Sequence, residues 1–154
     1  MNHSIEYTPT KLTSQREAIV QTAYQFLHAP YLWGGKTPLG IDCSGLTQMV
    51  YKIHGIPLKR DAYQQAKQGK EIILTCAKKG DLAFFGENKI THVGIIINKN
   101  EIIHAFGSVR IDKINKKGIL NRAKSAQVNY FGEAIGEVPW HVVKITAQKS
   151  LKPG

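Results

Sequence analysis

Long apolar runs are missing from this chain. No segment approaches the roughly 20 apolar residues that a membrane-spanning helix requires. Met1 to Lys11 is polar and lacks the apolar stretch of a secretory signal. As written, the sequence is expected to act in the cytoplasm, with export by a route the chain does not display as the alternative. Cysteine is scarce too, with two residues, Cys43 and Cys76, in 154. Their spacing fits neither a disulfide framework nor a metal site. Both thiols are therefore expected to be free, Cys76 as a structural residue, and no metal or cofactor is expected. Acidic residues are outnumbered, 11 against 21 Lys and Arg, for a formal net charge of +10. The basic residues are scattered, as at Lys78-Lys79 and Lys116-Lys117, without interleaved aromatics. That distribution argues against a nucleic-acid binder and for a solvated surface that attracts acidic polymers.

What is present suits one compact domain. A chain of 154 residues with 42% hydrophobic and 21% charged residues can bury one core. We divide it into a leader, 1–13, and a single domain, 14–154, in which the Gly- and Pro-punctuated stretch 115–140 is a candidate insertion or partner-binding segment. Ser14-Gln15-Arg16-Glu17 has the form of a capping box opening a helix, with Ile19, Ala23, Phe26 and Leu27 on its apolar face and an end before Pro30. A second helix follows Cys43, with Leu46, Met49, Val50 and Ile53 at i, i+3, i+4, i+7 and Gly55 as its stop. A short helix runs from Ala62 to Gln68. Strands are expected over Asp81 to Phe85, Ile90 to Ile97, Glu101 to Phe106, Val109 to Ile114 and His141 to Thr146. Helices first and antiparallel strands after them make an α+β fold with a sheet of about five strands.

Cys43 stands where a Gly-rich loop, Tyr31-Leu32-Trp33-Gly34-Gly35, gives way to the second helix. An ordinary thiol has a pKa of about 8.5 and is a few per cent thiolate at neutral pH, and a helix N-terminus favours the anion. We therefore expect an ionised sulfur beside an imidazole. The loop glycines suit close approach of a ligand backbone. Asn98-Lys99-Asn100 is a hairpin turn, so His92 and His104 fall within a position or two of facing each other, in a register the sequence leaves open. A thiol at a helix start against a sheet face carrying histidine is the arrangement nucleophile-base catalysis needs. Two other histidines, His28 and His54, are expected to bond carbonyls in the last turns of their helices.

Five segments, in order, resemble the NlpC family of papain-like peptidases that cleave bacterial cell-wall peptides: Pro30-Tyr31-Leu32-Trp33-Gly34-Gly35, Asp42-Cys43-Ser44-Gly45, Gly80-Asp81-Leu82-Ala83-Phe84-Phe85, His92-Val93-Gly94-Ile95 and Ile102-Ile103-His104-Ala105. The resemblance implies a papain-like fold with Cys43 as nucleophile, His92 as general base and later acid, and His104 as its orienter. It also implies oxyanion donors at the Cys43 N-H and the Tyr31 hydroxyl. Leu58-Lys59-Arg60-Asp61-Ala62 is similar to a segment of the members that act on muropeptides with a free N-terminal L-Ala. By that likeness Tyr31, Trp33, Asp42, Ser44, Arg60 and Asp61 line the substrate pocket. The bond cleaved would join γ-D-Glu to diaminopimelate or L-Lys. Asp61 has a second reading as the N-cap of the short helix. Stem peptides or muropeptides are the expected partners. An amidase or acyltransferase on the same scaffold, or a non-catalytic wall-binding module, are the rival functions.

Overall fold

A computed structural model describes residues 12–86, 88–121, 126–127 and 140–144. Its helices are α1 (Leu12–Tyr24), α2 (Cys43–Ile53) and α3 (Ala62–Gln65). Strands β1 (Lys36–Thr37) and β2 (Gly40–Ile41) form a small hairpin before α2. The remaining strands are β3 (Lys70–Ile72), β4 (Leu82–Phe85), β5 (His92–Asn98), β6 (Glu101–Phe106), β7 (Ser108–Asn115), β8 (Gly118–Asn121), β9 (Ala126–Gln127) and β10 (Trp140–Lys144). They form one antiparallel sheet in the order β3-β10-β4-β5-β6-β7-β8-β9. The five expected strands are its contiguous centre, and three short strands extend it. Two of those, β8 and β9, fall within the stretch singled out as a candidate insertion. Most of the leader, residues 128–139 and the end of the expected last strand lie outside the described residues.

Helices α1 and α2 cover one face of the sheet. Ile19, Val20 and Ala23 from α1 and Phe26 from the turn after it join Leu46, Val50 and Tyr51 from α2 over Leu82, Phe84, Val93, Ile95, Ile103 and Ala105. Each fully buried aliphatic side chain of this kind contributes roughly 1.5–3 kcal/mol. A smaller cluster, Ala83, Phe85, Ile96, Ile102 and Ile114, occupies the other face. Strand alternation places His92 and His104 on the same face as Ile96 and Ile102.

Local details differ from the sequence reading. Helix α1 is already under way at Ser14, so the capping box does not start it. Arg16 instead docks the helix on the entry to β4, its Nη1 donating to Lys79 O at 2.8 Å and to Asp81 Oδ1 at 2.9 Å. On α2, Ile53 is exposed and Tyr51 takes its place in the core, with its hydroxyl donating to Gly80 O. Helix α3 stops at Gln65. His54 caps α2, but its ring bonds Thr22 Oγ1 of α1 at 2.7 Å. His28 has a positive φ of 77° at the turn after α1 and donates its backbone N-H to Val109 O at 2.9 Å. Cys76 is exposed in a single 3-10 turn, Leu74–Cys76, rather than packed; both thiols are free.

The hairpin register pairs Ile95 with Ile103 and Ile96 with Ile102. Continuing it sets Gly94 beside His104. A Cβ on Gly94 would lie 2.5 Å from Ile102 Cδ1 and 2.9 Å from His104 Cβ, so only glycine leaves His92 room to reach its neighbour diagonally. Gly94→Ala is expected to cost about 1–3 kcal/mol through overpacking, read as a lowered denaturation midpoint. A midpoint equal to that of the unsubstituted chain would show that this strand pair has slack.

Candidate active site

Asp42 builds the start of α2. Its extended backbone ends the loop, and its Oδ1 accepts the Gly45 N-H at 2.7 Å as an N-cap. Oδ2 accepts the Gly34 N-H at 2.9 Å, tying the Gly-rich loop to the same carboxylate. Arg60 closes the arrangement with two donors, Nη1 to Oδ1 at 3.1 Å and Nη2 to Oδ2 at 2.8 Å, and Nη1 also donates to Ser44 Oγ at 2.9 Å. The Asp42 carboxylate thus lines the groove with both oxygens already engaged within the protein. The loop glycines have a similar internal purpose. A Cβ on Gly35 would sit 2.2 Å from Gly40 O, and one on Gly45 would sit 2.3 Å from Gly35 O. At Gly35 and Gly45 the close approach is between segments of this chain, while Gly34 faces open space in the groove.

Cys43 is the first residue of α2 and is buried. Its Sγ lies against the start of β5, 4.0 Å from Thr91 O. Burial is the largest influence on the thiol and lifts its pKa to about 11. The Val93 N-H opposes this, the charge of Asp42 adds to it, and the N-H groups of Ser44 and Cys43 oppose it. His92, next to Thr91 and Val93, is held well below the ordinary imidazole value, first by burial and then by the neighbouring His104. The resting pair is therefore a neutral thiol and a neutral ring, not the ionised sulfur read from the sequence. The helix-terminus effect is real but smaller than desolvation.

Behind His92 runs a buried chain of contacts. His92 Nε2 lies 2.8 Å from His104 Nδ1, and His104 Nε2 lies 2.8 Å from Asp112 Oδ2. Arg110 braces the carboxylate, with Nε 3.0 Å from Oδ2 and Nη2 3.1 Å from Oδ1. The Phe106 ring stacks at 8° on His104 and lies beneath the Arg110 guanidinium. The two histidines were legible from sequence; Asp112 was not. In Arg110-Ile111-Asp112-Lys113 it reads as one charge among several on a solvated strand. Its signal would have been its face, since β6 and β7 pair Ile102 with Asp112 and His104 with Arg110.

A groove of about 570 Å³ opens over the thiol. It is lined by all six residues assigned to the pocket from sequence, Tyr31, Trp33, Asp42, Ser44, Arg60 and Asp61, and also by Tyr63, Lys89 and Thr91. Trp33 is 83% exposed at the rim. Asp61 occupies the N-cap position of α3, where its backbone N-H donates to Gln64 Oε1 at 3.0 Å, and this exposed residue also lines the groove. Across the mouth, Lys89 Nζ sits 4.9 Å from the centre of the Tyr63 ring.

The electrostatics have two measurable consequences. Exposed Cys76 is expected to alkylate before Cys43 at neutral pH, and the Cys43 rate should rise only at strongly alkaline pH; a first label on Cys43 with an apparent pKa below that of a free thiol would contradict the neutral pair. His92 has a depressed native pKa, so its contribution to stability is complete above about pH 6.5 and declines as pH falls from there toward the native value. Denaturation midpoints measured on the acid side should fall less steeply in His92→Gln.

Comparisons with known proteins agree with this architecture. The gamma-D-glutamyl-L-lysine dipeptidyl-peptidase of Bacillus subtilis is 43% identical over 93 residues, which is 58% of this chain and 31% of that protein. Dipeptidyl-peptidase 6 of Lysinibacillus sphaericus is 44% identical over 93 residues, 58% of this chain and 32% of that protein. The chain thus spans about a third of the length of these curated relatives. Among solved structures, the NlpC/p60 domain of the peptidoglycan hydrolase SagA superposes with a TM-score of 0.64 at 30% identity, covering 84% of this chain and 98% of that domain. Residues 28–128, well over half of the chain, match the family described as NlpC/P60. With that match spanning the groove, the thiol and both histidines, the chain belongs to the NlpC/P60 family.

Proposed function

We propose that this domain is a thiol endopeptidase that hydrolyses the bond between γ-D-glutamate and the diamino acid of peptidoglycan stem peptides, acting on peptides with a free N-terminal L-Ala. The observation that carries the reading is Cys43 at the head of α2, lining a groove, with its sulfur against the start of β5, the strand that carries buried His92 in contact with His104 of β6. The name of the gamma-D-glutamyl-L-lysine dipeptidyl-peptidase of Bacillus subtilis supports the choice of bond. Asp61 supports the free amine: among the described residues lining the groove, with Asp42 engaged by Arg60, it is the carboxylate left to meet an ammonium group.

The neutral resting pair shapes the chemistry. As Sγ attacks the γ-carbonyl carbon, the thiol proton passes to His92 Nδ1, so the nucleophile ionises in the act of attack. Charge develops on the carbonyl oxygen opposite the Cys43 N-H, with the Tyr31 hydroxyl as second donor; one such donor contributes about 3 kcal/mol. The C-N bond then breaks, and the proton on His92 goes to the departing amine. Water attacks the thioester and gives a proton to His92. Expulsion of the sulfur takes that proton back, leaving a free γ-carboxylate and the original thiol.

The test is incubation with L-Ala-γ-D-Glu-diaminopimelate and its N-acetylated form, followed by mass spectrometry. Cleavage of the unblocked peptide alone is expected, with none from Cys43→Ala. Asp61→Asn should raise KM by roughly 10- to 100-fold, the loss of one charge-assisted contact. Equal cleavage of both peptides would reject the Asp61 pocket, and a new amide in place of a free carboxylate would make the enzyme a transferase.

A further inference from the structure

We infer that Asp112 is a positioning residue that sets the protonation pattern of both histidines, with the His92 proton on Nε2 and Nδ1 as the nitrogen that takes the thiol proton in the proposed mechanism. The inference rests on the peptidase reading for its purpose but on geometry for its content. A carboxylate has no proton to donate. Its 2.8 Å contact with His104 Nε2 therefore requires the proton to be on that nitrogen. A neutral imidazole carries one N-H, so His104 Nδ1 is an acceptor. The 2.8 Å contact to His92 Nε2 is then satisfied only by a proton on His92 Nε2. His92 is kept neutral by burial, and its lone pair is left on Nδ1. One ionised oxygen thus dictates the tautomer of a ring two side chains away.

The surroundings keep Asp112 able to do this. Burial pushes its carboxyl up, but the hydrogen bond and attraction from His104, and after them the Arg110 guanidinium, outweigh that and hold it below the usual carboxylate value. The charged or titratable side chains against it among the described residues are His104 from β6 and Arg110 from its own strand. His92 from β5 reaches it only through His104. The Asp112 and His104 side chains are each 1% exposed, so water does not compete for the contact. When His92 takes the thiol proton, the anion at the far end of the chain favours the cation that forms. An uncharged acceptor would not.

The test reads the proton positions directly, by two-bond ¹⁵N-¹H spectroscopy of the histidine-labelled full chain at neutral pH, beside kinetics on the unblocked peptide. Expected are protons on Nε2 of both His92 and His104. In Asp112→Asn, whose amide both donates and accepts, His104 should populate both tautomers. kcat should fall roughly 10- to 100-fold, the range seen when the outer hydrogen-bond partner of a metal-bound histidine is lost, with KM little changed. Asp112→Glu should recover part of kcat. A proton on His104 Nδ1 in the unsubstituted chain, or an Asp112→Asn variant that keeps kcat, would overturn the inference. If that variant does not fold, the spectrum of the unsubstituted chain decides alone. A chain that cleaves no wall peptide would refute the peptidase reading while its spectrum still judges the tautomers.

Discussion

The carboxylate of Asp42 is the joint on which the site is assembled. Four hydrogen bonds converge on its two oxygens, from Gly34, from Gly45 and twice from Arg60. They gather three separate segments, the glycine loop, the head of α2 and the turn before α3, around the residue that follows it in sequence, Cys43. A carboxylate so surrounded resembles a structural ion more than a ligand-binding group. Losing one partner would strand the rest in a partly buried place, which is costlier than the bond itself. The identity of Arg60 matters for the same reason. A guanidinium can grip both oxygens in one plane and still reach Ser44, whereas an ammonium is a point donor without that fork.

Two opposing influences meet at the sulfur. The helix start and nearby N-H groups favour an anion; enclosure by the loop, the sheet and Asp42 disfavours it and is the stronger. The histidines behind it follow the same logic, since a neutral ring tolerates burial better than a charged one. Behind the ring, charge is gathered at Asp112 and Arg110, and in the groove it lies on the Asp42-Arg60 pair, Asp61 and Lys89. The thiol and the His92 ring between them carry none at rest.

How much of this was legible in the sequence depended on whether the signal was local. The helix beginning at Cys43 and the hairpin around Asn98-Lys99-Asn100 are written in adjacent residues, and both appear where their patterns put them. Ile53 fits the helical period as well as Tyr51 does, yet Tyr51 is buried because its hydroxyl finds Gly80 O, a partner distant in sequence. Strands β3, β8 and β9 are two to four residues long, too short for any alternation to register. Asp112 was hidden for a different reason. Its neighbours Arg110 and Lys113 make an ordinary charged strand, and only the register across β6 turns one of those charges inward. The pairing of His92 with His104 depended likewise on an absence, the missing side chain of Gly94.

The position of β10 carries a consequence for how the molecule comes into being. This strand, Trp140–Lys144, is the last of the described elements, yet it lies inside the sheet between β3 and β4. Until it arrives, β4 has a bare edge on the side away from β5, and β3 has no neighbour at all. On a ribosome, the strand that aligns Phe85 with His92 stays half-paired until the chain has been made through residue 144. Such late, sequence-distant closure is intrinsically slow. It leaves the helices and the central hairpin waiting on residues 140–144 before the sheet around the thiol is whole.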